Sequence, residues 1–391
     1  MTLATPRQRL PRTVFALGTV SFLTDLGSEM ILPLLPAFLA EIGGSKQQLG
    51  LLQGLSEFIV AGMKLASGWL SDLQRRRKPW IVIGYGLSTL VRPLMSLVTT
   101  PWQVMLVRSA DRAGKGLRTA PRDALLADSV PVDRRGEAFG VQRGMDHGGA
   151  LCGALLGYLL LKLGCEDRMV FAAAVVPGLF SVLVLVLFVR ESKHADAVAD
   201  EGTPAAPVRT VLPFLGVVAL AAAGSAVDLF LLLRAQELGV PRESLPLLWA
   251  VLHVARAGLS HPLGVLSDRL GRRRVIGCGL LAHTGVMVGF AFAEESFWMW
   301  PLFAVHGLHA AFTEGAERGY VADLTGSGKR GRSFGIYHAV QGVAAFVGPV
   351  LIGTVWDQVG ARSALLCAGG ATVLALLLLP FVARARQRAA P

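Results

Sequence analysis

The sequence predicts an all-α membrane protein: twelve transmembrane helices in two pseudo-symmetric six-helix bundles. Three observations predict it. Of the 391 residues, 53% are hydrophobic and only 17% charged, with mean hydropathy +0.53; a water-soluble chain carries about 25% charged residues. The apolar residues fall into twelve segments, each near the about 20 residues that cross a bilayer as a helix. A charged motif occurs twice, 196 residues apart: Gly68-Trp69-Leu70-Ser71-Asp72-Leu73-Gln74-Arg75-Arg76-Arg77, and Gly264-Val265-Leu266-Ser267-Asp268-Arg269-Leu270-Gly271-Arg272-Arg273. A motif repeated over half the chain means that the second half repeats the first.

In order, the segments are 13–40, 48–72, 79–99, 101–127, 136–163 and 168–190, then 210–236, 243–268, 273–293, 296–323, 331–357 and 361–383. Each is read as a helix, because an open strand leaves its backbone unsatisfied in lipid. The one long polar interruption, 191–209, is rich in Ala, Asp, Pro and Gly and reads as a linker. Residues 1–190 are therefore expected to form an N-terminal bundle and 210–391 a C-terminal one. Basic residues concentrate on one side: Arg7, Arg9 and Arg12, Arg75 to Lys78, Arg134 and Arg135, Arg190 to Arg209, Arg269 to Arg274, Lys329 to Arg332, and Arg384 to Arg388. The positive-inside rule makes that side cytoplasmic, with both termini and the linker on it, in a multi-pass protein of the cell inner membrane.

The same loops dispose of a competing reading. A net charge of +11 and a pI near 10.1 would suit a nucleic-acid partner, but the charge sits in short loops between apolar spans, as an orientation signal. Four cysteines without paired spacing suggest neither a disulfide framework nor a metal knuckle. No phosphate-binding Gly-x-x-x-x-Gly-Lys-Ser/Thr loop occurs, and no cofactor or metal is expected. The first apolar run, from Val14, is interrupted by acids and precedes no small-residue cleavage site, so it is expected to be retained.

The repeat extends past the loop motif. At an offset of 195, Ala127-Asp128 matches Ala322-Asp323, Arg135-Gly136 matches Arg330-Gly331, Phe139-Gly140 matches Phe334-Gly335, and Gly153 falls on Gly348. Six spans is an even number, so the halves run parallel. With the doubled Gly-x-x-Ser-Asp loop and the cytoplasmic middle linker, the chain resembles a twelve-span member of the major facilitator superfamily over nearly its whole length. Leu73 stands where that pattern has Arg, and Arg75 where it has Gly. The resemblance implies a transporter rather than an enzyme, working by alternating access. It also implies a cytoplasmic gate at Gly68, Asp72, Gly264, Asp268 and Arg269, where each acid meets a helix end of the opposite half.

Ionisable side chains inside a span cost about 2.5–3.5 kcal/mol each on insertion scales, so they mark function or pairing. Asp25 and Glu29 lie four apart on one face of the first span. Glu57 and Lys64 lie near one face of the second. In the fourth, Arg108, Arg112, Lys115, Thr119 and Arg122 share a meridian within about 40°, a cationic stripe about 20 Å long with Asp111 beside it. Such a stripe must face acids or a wet cavity. Arg112 with Gly116 resembles the superfamily's fourth-span Arg-x-x-x-Gly pattern, which implies proton handling. The fifth span adds Arg143, Asp146, His147 and a row of glycines. It partly resembles the superfamily's antiporter motif, with Gly148-Gly149 where Gly-Pro is usual. In the second half Asp228 stands alone in its span and needs a partner, and His253, Arg256, His261, His283, His306, His309 and His338 are scattered over four spans.

The expected site is thus a proton-coupling and substrate cavity of Asp25, Glu29, Glu57, Arg108, Asp111, Arg112, Lys115, Arg143, Asp146 and Asp228. The expected function is secondary active transport of a small polar or anionic solute by a monomer, with protons as the coupled ion, the bilayer as solvent, and efflux favoured on the resemblance. A lipid flippase and a proton-coupled uptake symporter are the alternatives. A transport-free scaffold has little reason to keep so many intramembrane charges.

Overall fold

The computed structural model describes residues 10–74, 76–130, 135–191, 208–325 and 330–382. Among these, every expected segment is helical. The first half holds α1 (Arg12–Ile31), α2 (Leu35–Glu41), α3 (Lys46–Gln74), α4 (Lys78–Val91), α5 (Pro101–Asp128), α6 (Arg135–Lys162), α7 (Asp167–Ala173) and α8 (Val175–Phe188). The second holds α9 (Val208–Ser225), α10 (Asp228–Glu237), α11 (Leu245–Leu270), α12 (Arg272–Phe292), α13 (Met299–Thr325), α14 (Arg330–Gln358) and α15 (Ala361–Leu378).

Local chemistry explains most boundaries. Pro33 and Pro36 each remove a backbone donor, and the first span passes through a 3-10 turn between α1 and α2. α5 opens on a capping box, with Thr100 at its N-cap, Pro101 in its first turn and the Gln103 side chain returning to the Thr100 N–H. The 191–209 linker, apart from its two ends, lies outside the described residues.

Among the described residues, eight helices or broken helix pairs are long and apolar enough to cross a membrane: Arg12–Glu41, Lys46–Ser71, Lys78–Leu97, Asp167–Phe188, Leu212–Glu237, Arg272–Phe292, Ile336–Gln358 and Ala361–Phe381. The sequence expectation was twelve. The other four expected segments are α5, α6, α11 and α13, helices of 28, 28, 26 and 27 residues whose length suffices but whose charge does not. Buried ionisable groups that they carry include Arg108, Asp111 and Arg112 on α5, Asp146 on α6, His253 on α11 and Glu317 on α13.

Packing repeats between the halves. α6 lies on α1 and α14 on α9. The matched glycines do the same work in both: Gly153 leaves room for the backbone of Leu26, and Gly348 for that of Ala223. The halves meet along two seams, α3 against α14 and α6 against α11. At one end a single apolar core runs through both halves, from Met30, Phe38 and Phe171 to Phe230, Trp249 and Phe303. Toward the other end it divides into two separate cores, one around Val14, Tyr85 and Leu125, the other around Phe214, Tyr320 and Tyr337.

The shared end is also clasped by polar bonds between the halves. The Asp357 carboxylate at the end of α14 accepts from the Lys46 and Gln47 N–H groups at 3.2 and 2.8 Å, capping the positive N-terminus of α3. Arg242, before α11, donates to Glu41 at 2.6 Å and also to Asp167. Along the α3–α14 seam, Gly50 and Gly54 lie on the backbones of Pro349 and Phe346.

Candidate functional site

Where the apolar core divides, a cavity of about 390 Å³ opens between the halves. Its walls are α1, α3, α5 and α6 from the first half and α10 and α11 from the second. The charged helices reach it because an ionisable side chain is tolerated at membrane depth only when it faces water or a partner. Nine of the ten expected site residues line it: Asp25, Glu29, Glu57, Arg108, Arg112, Lys115, Arg143, Asp146 and Asp228. The whole α5 stripe faces it, Arg108, Arg112, Lys115, Thr119 and Arg122, with Arg118 beside them. Arg143 is exposed, while Arg108, Arg112, Glu29 and Asp146 are buried.

Asp111 is the exception. Its carboxylate turns away from the cavity to the α4 side, where Arg92 binds it at 2.9 Å; Arg112 follows at 3.2 Å and Arg108 at 3.4 Å. Arg92 also donates to the Thr24 carbonyl of α1 at 2.8 Å. Three guanidiniums on one buried acid make a structural knot that ties α1, α4 and α5 together. Arg118 is held outside that knot, over the Tyr85 ring at 4.5 Å and bonded to Ser88 at 2.7 Å. Arg122 pairs with Asp123 at 2.8 Å and reaches Ser21 at 3.1 Å.

The acids differ in what holds them. Glu29 accepts from Ser28 at 3.0 Å and, across the seam, from the Trp249 indole N–H of α11 at 2.6 Å; His253 stands 3.9 Å away. Asp146 accepts from Gln142 at 2.7 Å, and its second oxygen has no partner. Asp228, at the start of α10, has the partners its isolation in the sequence demanded: His306 at 2.8 Å and Arg256 at 3.4 Å. Trp249 was missed in the sequence because an indole on an apolar helix reads as core. His253 and Arg256 were noted but not assigned, for want of any sign that α11 faces α1 and α10.

Of the expected gate, Gly68 lies on α3, where an added methyl would meet the Ala120 side chain at 3.4 Å. Gly264 lies on α11, and the side chains of Asp72, Asp268 and Arg269 lie outside the described residues.

A sequence profile of the Major Facilitator Superfamily matches residues 17–257 and 213–391, which between them span nearly the whole chain. The chain belongs to the Major Facilitator Superfamily. An uncharacterized MFS-type transporter of Methanocaldococcus jannaschii is 31% identical over 388 residues, covering 96% of each chain. The class E tetracycline resistance protein of Escherichia coli is 25% identical over 365 residues, covering 87% of each. Among solved structures, that of the nucleoside transporter NupG (D323A mutant) superposes with a TM-score of 0.79 at 13% identity, covering 95% of this chain and all of that one; at that identity the likeness speaks for the fold. The superfamily's transporter fold accounts for the two halves, the seams and the central cavity, and membership makes this a multi-pass membrane transport protein.

Proposed function

We propose that this superfamily member is a secondary active transporter that carries a small polar, anionic solute across the cell inner membrane, coupled to protons and working as an exporter. One observation carries the reading: the cavity between the halves is lined by eight Lys or Arg side chains against five Asp or Glu. A drug recognised by grease alone would need none of them, and an excess of cations at low dielectric attracts anions. Asp25, Glu29 and Asp146 supply carboxylates that a proton can load and leave. Export is the direction in keeping with the tetracycline resistance protein among the relatives.

On this reading the clasped end is periplasmic and the cavity opens to the cytoplasm, with both termini and the 191–209 linker on that side. The bundles 1–190 and 210–391 rock against each other along the α3–α14 and α6–α11 seams. Gly68, Asp72, Gly264, Asp268 and Arg269 close the cytoplasmic end when the clasp releases. One chain suffices, since the cavity is built from its own two halves.

The test is proton movement in liposomes that hold the purified protein and a pH dye, challenged with a panel of organic acids, phosphate esters, sugars and cationic dyes. A pH change with anionic solutes, lost in Asp25→Asn, Glu29→Gln or Arg112→Lys, is the expected result. An unaltered signal in all three variants removes the site assignment, and silence across the panel with active lipid scrambling replaces the transporter reading by a flippase.

A further inference from the structure

Most charges in the cavity are already answered. Arg256 faces Asp228 at 3.4 Å and Arg122 faces Asp123 at 2.8 Å. Two are not. Asp25 on α1 and Lys115 on α5 both line the cavity, and neither side chain makes a hydrogen bond or an ion pair within 4 Å among the described residues. Lys115 is the cation that acts most on Asp25, and Asp25 the anion that acts most on Lys115.

Neither stands by itself. Beside Asp25 is Asp146, with one buried carboxylate oxygen unpartnered; beside Lys115 is Arg112, with its Nε buried and unpartnered. The cavity therefore holds two carboxylates, Asp25 and Asp146, together with two cations, Lys115 and Arg112, each pair with hydrogen-bonding capacity unspent. Two opposite charges 4 Å apart attract by about 4 kcal/mol at the effective dielectric of a protein surface. Asp25 and Lys115, both half-buried, nevertheless form no ion pair within 4 Å. Left open to the cavity, they complement a ligand that brings one charge of each sign.

We propose that the cavity is built for a dipolar solute, whose ammonium group meets Asp25 and Asp146 and whose anionic group meets Lys115 and Arg112. This rests on the transporter reading and narrows its solute from anionic to zwitterionic. It also supplies the exchange that an exporter needs. An ammonium arriving at Asp25 takes the place of the proton on that carboxylate, which leaves to water, so solute and proton occupy one site in turn.

Saturation-transfer NMR on the full chain in lipid nanodiscs tests it. The probes are straight-chain ω-amino acids of three to eight carbons, with the matching carboxylic acids and amines. At least one amino acid should bind tenfold or more tighter than both its matched acid and its matched amine. Asp25→Asn should erase its advantage over the acid, and Lys115→Gln its advantage over the amine. The wild-type comparison decides even where a variant does not fold. Acids that bind as well as amino acids overturn the dipolar site and leave an anion transporter standing. An advantage that survives both substitutions also overturns it, as does the absence of binding by every probe; the liposome assay then tells whether the transporter reading falls too.

Discussion

The indole N–H of Trp249 donates to the carboxylate of Glu29 at 2.6 Å, across 220 positions of sequence and from one half of the protein to the other. Both residues are buried. The bond places a candidate coupling carboxylate on a contact between the halves that would part if, as we propose, the cavity opens in turn at the clasped end. Occupancy of that carboxylate and the opening of the seam are thus tied by one hydrogen bond.

Trp249→Phe should shift the two halves toward opening at the clasped end. A hydrogen bond to a charged group is worth about 1.5–3 kcal/mol, or a population change of about 10- to 150-fold. Distances between spin labels on either side of the Lys46–Asp357 contact read the shift. In a Glu29→Gln background the same substitution should add little, because the charge that strengthens the bond is already gone. Equal effects in both backgrounds would deny the coupling.

Asp111→Asn should fold poorly. It leaves Arg92, Arg108 and Arg112 buried without their common counter-ion, and breaking a buried ion pair costs about 3–5 kcal/mol. Loss of folded protein on size-exclusion chromatography, or a much lower thermal transition, is the expected outcome. Asp111→Asn with wild-type stability would mean that the knot is not structural.

Asp357→Ala removes the cap on α3. Losing an N-cap costs about 0.5–2 kcal/mol, and here the loss falls on the contact between halves. The label distances should lengthen at the clasped end only. A shortening at the opposite end is the companion sign of rocking, and loosening confined to residues 45–48 would argue against it.

The Arg242 clasp should resist alkali. Burial lowers the Arg242 pKa, but the bonds and charges of Glu41 and Asp167 outweigh it, and the guanidinium is held above its ordinary value. A raised basic group contributes stability below its unfolded pKa and loses it only as pH rises through the folded one. For arginine that lies above any working pH. Label distances near Arg242 should therefore stay constant from neutral to alkaline pH. Arg242→Gln should lengthen them at either pH.

Gly50→Ala should wedge the α3–α14 seam, since an added methyl would press on the Pro349 carbonyl, whereas Gly62→Ala on the same helix meets nothing within 4 Å. The first should lower the thermal transition and populate the state open at the clasped end. The second should behave as wild type.

Angular arguments along one helix transferred well from sequence to structure, and arguments between helices did not. Arg108, Arg112, Lys115, Thr119 and Arg122 share a meridian and all face the cavity. The same wheel puts Asp111 about 100° from Arg112, which is why it faces Arg92. The repeat was visible in Gly153 and Gly348 because close helix packing demands glycine in both halves. The cap by Asp357, 311 positions from Lys46, leaves no local trace, and neither does Trp249. The break between α9 and α10 falls at Ala226 and Val227, where no proline or glycine marks it.

The four charged helices constrain how the chain enters its membrane. α5, α6, α11 and α13 are too polar to rest alone in lipid, and each must wait for neighbours that answer its charges. The Asp111 knot supplies that answer within the first half, since α1, α4 and α5 all emerge before residue 129. The Trp249–Glu29 bond cannot form until α11 has been made. Assembly therefore has an order written into its electrostatics: the first bundle can settle its own charges, and the second completes the wall of a chamber that the first has left half built.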